Sequence, residues 1–231
     1  ERMGCEVIQL FCELDGTFPN HHADPTVEKN LEDLKVAVAE HGADIGVAFD
    51  GDADRIGLID RDGEVIWGDK LMILLSRALL EAEPGAAIIG EVKCSKTLYD
   101  DIAAHGGNGI MWKAGHSLIK SKMKETKAAL AGEMSGHIFY KHRYYGFDDA
   151  AYAGGRLLEI LGKTESSITE LLADVPTTFS TPEIRQDCPE EVKFPLVAKV
   201  IEAFSAGAEA GGYEVVDIDG ARGQWSDGWG L

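Results

Sequence analysis

The stretch IGVAFDGDADR, Ile45 to Arg55, decides the architecture. Ile45–Phe49 is a short apolar run of strand type, and three carboxylates follow it at Asp50, Asp52 and Asp54. Alternate residues of an extended loop project to one side, so the three can converge on a point. Without a cation that is unfavourable: two like charges about 4 Å apart repel by roughly 4 kcal/mol at an effective dielectric near 20. A divalent ion reverses the sign, and Mg²⁺ prefers hard carboxylate oxygens with a phosphate or water completing its shell. The loop also lies at the carboxyl end of a strand, where open α/β sheets bind ligands. An EF-hand is excluded, because Arg55 and Arg61 stand where its loop needs Gly and Glu. The plain alternative is a solvated acidic turn that Arg55 neutralises. Arg55 could equally clamp a phosphoryl group bidentately.

Working outward, strand-like runs alternate with amphipathic helices. Glu6–Phe11 reads as a buried strand and Cys12–Pro25 as a polar loop. Val27, Leu31, Leu34 and Val38 fall at helical spacing over Thr26–Glu40, with Gly42 as the stop. Ile56–Asp60 and Glu64–Trp67 flank Asp62 and Gly63, a two-residue hairpin signal. Asp69 is placed to cap a helix running to about Ala82, before Pro84 and Gly85. Ala87–Val92 reads as a strand, and Ser95 as the cap of a helix ending near Gly106. Ile110–Lys113 (strand), His116–Lys124 (basic helix) and Ala128–Glu133 (strand) follow. Asp148 starts a helix to Leu161, and Ser167 with Glu170 forms a capping box. After a Thr/Pro-rich linker, Thr177–Pro182, come a strand Glu183–Gln186, a helix between Glu190 and Ala210 and a strand Tyr213–Ile218. A Gly-rich tail then ends in what reads as the middle of a hairpin. No internal repeat or low-complexity segment interrupts this α/β, mixed-sheet reading.

Charge narrows the partner. The 231 residues carry a formal net charge of −18, which excludes a generic nucleic-acid binder and disfavours an anionic membrane surface. The apolar run near Leu71–Leu75 is too short to span a bilayer, and no apolar leader opens the chain. Cys5, Cys12, Cys94 and Cys188 have no metal-finger spacing, which suits a reducing cytoplasm. Residues 93–143 run against the total, with 9 basic and 4 acidic side chains. Chance clustering on a solvated helix explains this blandly. A cationic trough for a small anion explains it chemically.

Inside that segment, Glu133, Ser135 and His137 alternate in GEMSGH, residues 132–137, flanked by glycines. A carboxylate, a hydroxyl and an imidazole on one side suit sugar hydroxyls, although a polar turn at a strand end accounts for them too. Lys93 and His116 stand singly at expected strand ends. Alone, each reads as a solvated Lys and a surface or capping His.

Taken together, the motifs resemble a known family. IGVAFDGDADR resembles the metal-binding loop of the α-D-phosphohexomutases. WKAGHSLIKSKMKE with GEMSGHIFY resembles the sugar-recognising third domain of the phosphomannomutase/phosphoglucomutase branch. TPEIRQDCPEEVKF and YEVVDIDGARGQWSDGWGL resemble the start of a fourth domain. The resemblance implies residues 1–67 as part of the second domain, 68–176 as the third and 177–231 as the start of the fourth. It further implies one Mg²⁺ held by Asp50, Asp52 and Asp54, with Arg55 beside the transferring phosphoryl group. Lys93, His116, Glu133, Met134, Ser135, Gly136 and His137 would line the substrate site, His137 also shuttling a proton. The implied reaction interconverts sugar 1- and 6-phosphates of mannose or glucose, through a phosphoserine and a sugar bisphosphate that also activates.

The serine segment of the family type is absent from these residues, as is the expected phosphate-binding loop of the fourth domain. The chain alone is therefore expected to lack mutase turnover, with the phosphoserine supplied by a first domain. Met134 favours this branch over the phosphoglucosamine mutases, whose loop reads closer to GEQSGH. A haloacid-dehalogenase-like phosphatase fails on its DxDx[TV] motif, because Asp54 occupies the Thr/Val position. A non-catalytic, Mg²⁺- and sugar-phosphate-binding fragment is the reading from another class.

Overall fold

In a computed structural model, residues 2–179, 181, 184 and 186–231 are described. A 3-10 turn, Glu28–Leu31, runs into helix α1, Glu32–His41. Gly42 closes α1 in the left-handed conformation, the expected stop. Strands β1 (Ile45–Phe49), β2 (Ile56–Asp60) and β3 (Val65–Ile66) form an antiparallel sheet in chain order. The hairpin between β2 and β3 has a longer loop than a two-residue turn. Asp60 N–H donates to Glu64 O, which leaves three residues in the loop, the last being left-handed Gly63.

Helix α2, Gly68–Ala82, is buried along most of its length, from Leu71 through Leu80. Beside it lies a four-stranded sheet ordered β5-β4-β6-β7, from β4 (Ala87–Glu91), β5 (Asn108–Trp112), β6 (Leu130–Gly132) and β7 (Ile138–Tyr140). β4 pairs parallel with both β5 and β6, while β7 returns antiparallel, so the sheet is mixed as expected. The parallel connections carry α3 (Lys96–Ala104) and α4 (His116–Thr126). α5 (Ala150–Leu161) and a short α6 (Ile168–Leu171) follow, α6 opening on the expected Ser167–Glu170 capping box. The main core joins α2, α3 and α5 to β2 and the larger sheet. Helix α7 (Glu190–Gly211) and strands β8 (Glu214–Val216), β9 (Arg222–Gln224) and β10 (Trp229–Gly230) complete the chain.

Several local expectations shift. Glu6–Phe11 is not a strand: no described strand pairs with it, and Val7 and Ile8 are about half exposed. Asp69 sits inside the first turn of α2, where its oxygens accept from the N–H groups of Lys70 and Ser95. Ser95 precedes α3 as expected, but its hydroxyl meets Thr97 Oγ1 rather than the helix backbone. The cap of α5 is Asp149, which accepts from Tyr152 N–H, and not Asp148. Glu183 and Arg185 of the expected strand Glu183–Gln186, with Ser180 and Pro182 of the linker, lie outside the described residues, and Ile184 is exposed.

Candidate active site

The acidic loop begins where β1 ends. Asp50 is almost buried, and its Oδ1 accepts the N–H groups of Asp54 and Arg55, both at 3.1 Å. Its Oδ2 accepts from Arg55 Nε at 2.7 Å. Ala53 takes a left-handed φ of 58°, a strained choice for a residue with a Cβ, which turns the loop back toward β2. One oxygen from each of Asp50, Asp52 and Asp54 lies within 4.8 Å of the others. Hard carboxylate oxygens are the donor type that Mg²⁺ takes. Burial pushes the Asp50 carboxyl up, but the hydrogen bonds from Arg55 outweigh it and hold the group below its ordinary value. Asp54 moves the other way: burial and the neighbouring carboxylates raise it, against the opposing His137. Arg55 reaches beyond the loop to Asp24 Oδ1 at 3.1 Å.

The second loop lies at the carboxyl end of β6. Glu133 is 5% exposed; its Oε1 accepts from Gly115 N–H at 2.6 Å and its Oε2 lies 2.8 Å from His137 Nδ1. Ser135 Oγ is 3.0 Å from the same ring nitrogen. His137 thus contacts both Glu133 and Ser135. Burial lowers the His137 imidazole, but the bond to Glu133 and the charge of Asp54 leave it above its ordinary value. Burial raises Glu133, yet the hydrogen bonds from His137 and Gly115 leave it below.

Two glycines let these pieces close on each other. Gly136 has φ +93°, and a Cβ there would stand 2.3 Å from Ile56 O; a Cβ on Gly68 would stand 2.3 Å from Glu133 O. Through Gly136 the two loops are stitched: Ile56 N–H donates to Gly136 O at 3.1 Å, and Arg55 and His137 form an isolated antiparallel bridge. The side chains meet as well, His137 Nε2 lying 3.3 Å from Asp54 Oδ2.

Lys93 and His116 follow the parallel strands β4 and β5, so they share an edge with Glu133 after β6. Lys93 Nζ lies 3.8 Å from Glu91 Oε1, the atom that accepts Met134 N–H at 3.0 Å. The His116 ring stacks on that of His137, with centroids 6.2 Å apart. All the expected site residues thus gather on one side of the two adjoining sheets. Sequence reasoning missed Asp24, which holds Arg55, and Asp148, which pairs with Lys120 at 2.9 Å and lies 3.8 Å from His116. Asp148 also forms a second three-ligand group with Asp54 and His137. The one-residue offset of the α5 cap is what frees it.

Family models match this chain in two blocks. Residues 1–63 match phosphoglucomutase/phosphomannomutase alpha/beta/alpha domain II, and residues 67–179 match domain III. The chain belongs to the phosphoglucomutase/phosphomannomutase family. It is 53% identical over its whole length to a phosphomannomutase/phosphoglucomutase from Pseudomonas putida. It is 49% identical over 230 residues to a phosphoglucomutase from Neisseria meningitidis serogroup A. A crystal structure of a phosphoglucomutase/phosphomannomutase family protein from Burkholderia thailandensis superposes with a TM-score of 0.88 at 45% identity, covering 99% of this chain. The chain spans about half the length of these relatives, 49% of the two sequences and 48% of the structure. Among the described residues no helix is long and apolar enough to cross a membrane.

Proposed function

We propose that the chain carries the metal-binding and sugar-recognising part of a cytoplasmic phosphohexomutase that interconverts mannose or glucose 1- and 6-phosphates. In this reading residues 1–67 contribute to the second domain, 68–176 form the third and 177–231 begin the fourth. One Mg²⁺ on Asp50, Asp52 and Asp54 supplies charge neutralisation for the phosphoryl group. Arg55, already oriented by Asp50 and Asp24, offers its guanidinium to the same group. Lys93 adds positive charge along the shared edge, and His116 a ring nitrogen beside it.

Glu133 and Ser135 hold sugar hydroxyls, with the backbone of Met134 and Gly136 shaping the floor beneath them. His137, set between Glu133 and Asp54, holds and returns the proton of the reacting hydroxyl. A phosphoserine outside these residues is the donor, and a sugar bisphosphate is the intermediate. The 231 residues alone therefore bind without turnover. The 3.3 Å contact between His137 and Asp54 carries the reading, because it puts the sugar loop and the acidic loop into one site. Among relatives a probable phosphoglucosamine mutase from Methanococcoides burtonii is 37% identical, against 53% for the Pseudomonas putida protein, which favours this branch.

Calorimetric titration with glucose 1-phosphate and mannose 1-phosphate, with and without Mg²⁺, tests it alongside a coupled mutase assay. Binding of either sugar phosphate without turnover supports the reading. Release of inorganic phosphate, or no binding of either ligand, overturns it.

A further inference from the structure

The β8–β9 turn, outside both matched blocks, reaches into the candidate site at two points. Asp219 Oδ2 accepts the N–H of Ala114 at 3.0 Å, two residues before His116. Arg222, three positions on, donates from Nη1 to Cys94 O at 2.9 Å and to Val92 O. Those carbonyls belong to the residues on either side of Lys93. One turn, closed by left-handed Gly220, thus grips the backbone of the two loops that display Lys93 and His116.

Arg222 is fully buried, with its guanidinium 4.2 Å from the Trp229 ring centroid. Its Nε and Nη2 have no hydrogen-bond partner among the described residues. Burying a cation with two nitrogens unpartnered costs stability, and an apolar side chain of similar length would fill the space at less expense. What the guanidinium delivers instead is geometry: a planar group that fixes the peptides on both sides of one lysine. Asp219 does the same for the peptide entering α4, whose next N–H, from Gly115, is the one held by Glu133.

We propose that Asp219 and Arg222 are positioning residues for the sugar-phosphate site, setting Lys93 and His116 through the loops that carry them. This rests on the function proposed above. The terminal section would then tune substrate affinity from outside the sugar-binding block, without itself touching the sugar.

The test uses the 231-residue chain and its Asp219→Ala, Arg222→Met and Arg222→Lys variants. Amide hydrogen exchange is followed by NMR, and glucose 1-phosphate binding by calorimetry. In Asp219→Ala the Ala114 amide is expected to exchange about tenfold faster, while Ile88 and Ile89 in β4 keep their protection. Glucose 1-phosphate should bind about five- to tenfold more weakly to Asp219→Ala and to Arg222→Met. Arg222→Lys, which can still reach one carbonyl, should fall between Arg222→Met and the parent. Asp219 is exposed, so its variant reports even where a substitution at the buried Arg222 unfolds the chain. Unchanged Ala114 exchange, or parental affinity in Asp219→Ala, overturns the proposal. A parent chain that binds no sugar phosphate overturns the functional reading instead, and the exchange rates still judge the grip on the loops.

Discussion

Asp50 fixes the acidic loop from inside it, by accepting two of the loop's own N–H groups and the side chain of Arg55. The Glu133–His137 loop has internal bonds too, from His137 to Glu133 and Ser135, but it is also addressed from outside. Gly115, entering α4, donates to Glu133, Glu91 at the end of β4 receives Met134 N–H, and β2 meets Gly136. A loop organised by its own sequence keeps its shape when a neighbour shifts. One organised by three other elements registers any movement among them. The first arrangement suits a fixed charge site, and the second suits recognition of a ligand from several directions.

The comparison breaks most readily at Gly136. Gly136→Ala is expected to cost about 3 kcal/mol or more in urea unfolding, since it combines a positive φ with a Cβ driven into Ile56 O. A loss below about 1 kcal/mol would show that β2 does not constrain the second loop. Next comes Glu133→Gln, expected to cost about 2–3 kcal/mol near neutral pH because a nearly buried, doubly bonded carboxylate is lost. Its pH dependence has a definite sign. The folded-state value lies below the ordinary 4.5, so the carboxylate's contribution is complete above about pH 4.5 and fades as pH falls through the folded value. The gap between parent and variant should shrink over that acid range, and a constant gap would deny the depressed pKa.

The smallest effect on stability separates ligand from scaffold. Asp52 is exposed and makes no described hydrogen bond, so Asp52→Asn should change stability by less than about 0.5 kcal/mol. Mg²⁺ affinity in calorimetry should nevertheless fall by about tenfold or more, since one of the three proposed oxygen ligands is neutralised. Unaltered Mg²⁺ binding would return the loop to a solvated acidic turn.

How much of this could be read beforehand follows the same division. IGVAFDGDADR was legible because its strand, its alternation and its carboxylates are all local. The helices from α2 to α7 were legible to within a few residues, since apolar spacing and Gly or capping signals mark them. Contacts made at long range were hidden. Asp24 looks like one polar residue among many until Arg55, 31 positions away, folds back onto it. Asp148 reads as the start of a helix, and only the cap at Asp149 releases it toward Lys120 and His116. β7, three residues long within GEMSGHIFY, carries no pattern of its own, because its signal lies in pairing with β6. Glu6–Phe11 failed the opposite way, having strand composition and no described ladder partner.

The contact between His137 Nε2 and Asp54 Oδ2 makes the two loops thermodynamically reciprocal. In the proposed site, a cation that drew Asp54 to itself would weaken that atom's hold on the imidazole, and so alter what the second loop offers a sugar. Linkage then requires the sugar phosphate to change the cation's affinity by the same factor. The coupling resides in one ion-pair contact, and a double-mutant cycle on Asp54 and His137 would give its magnitude.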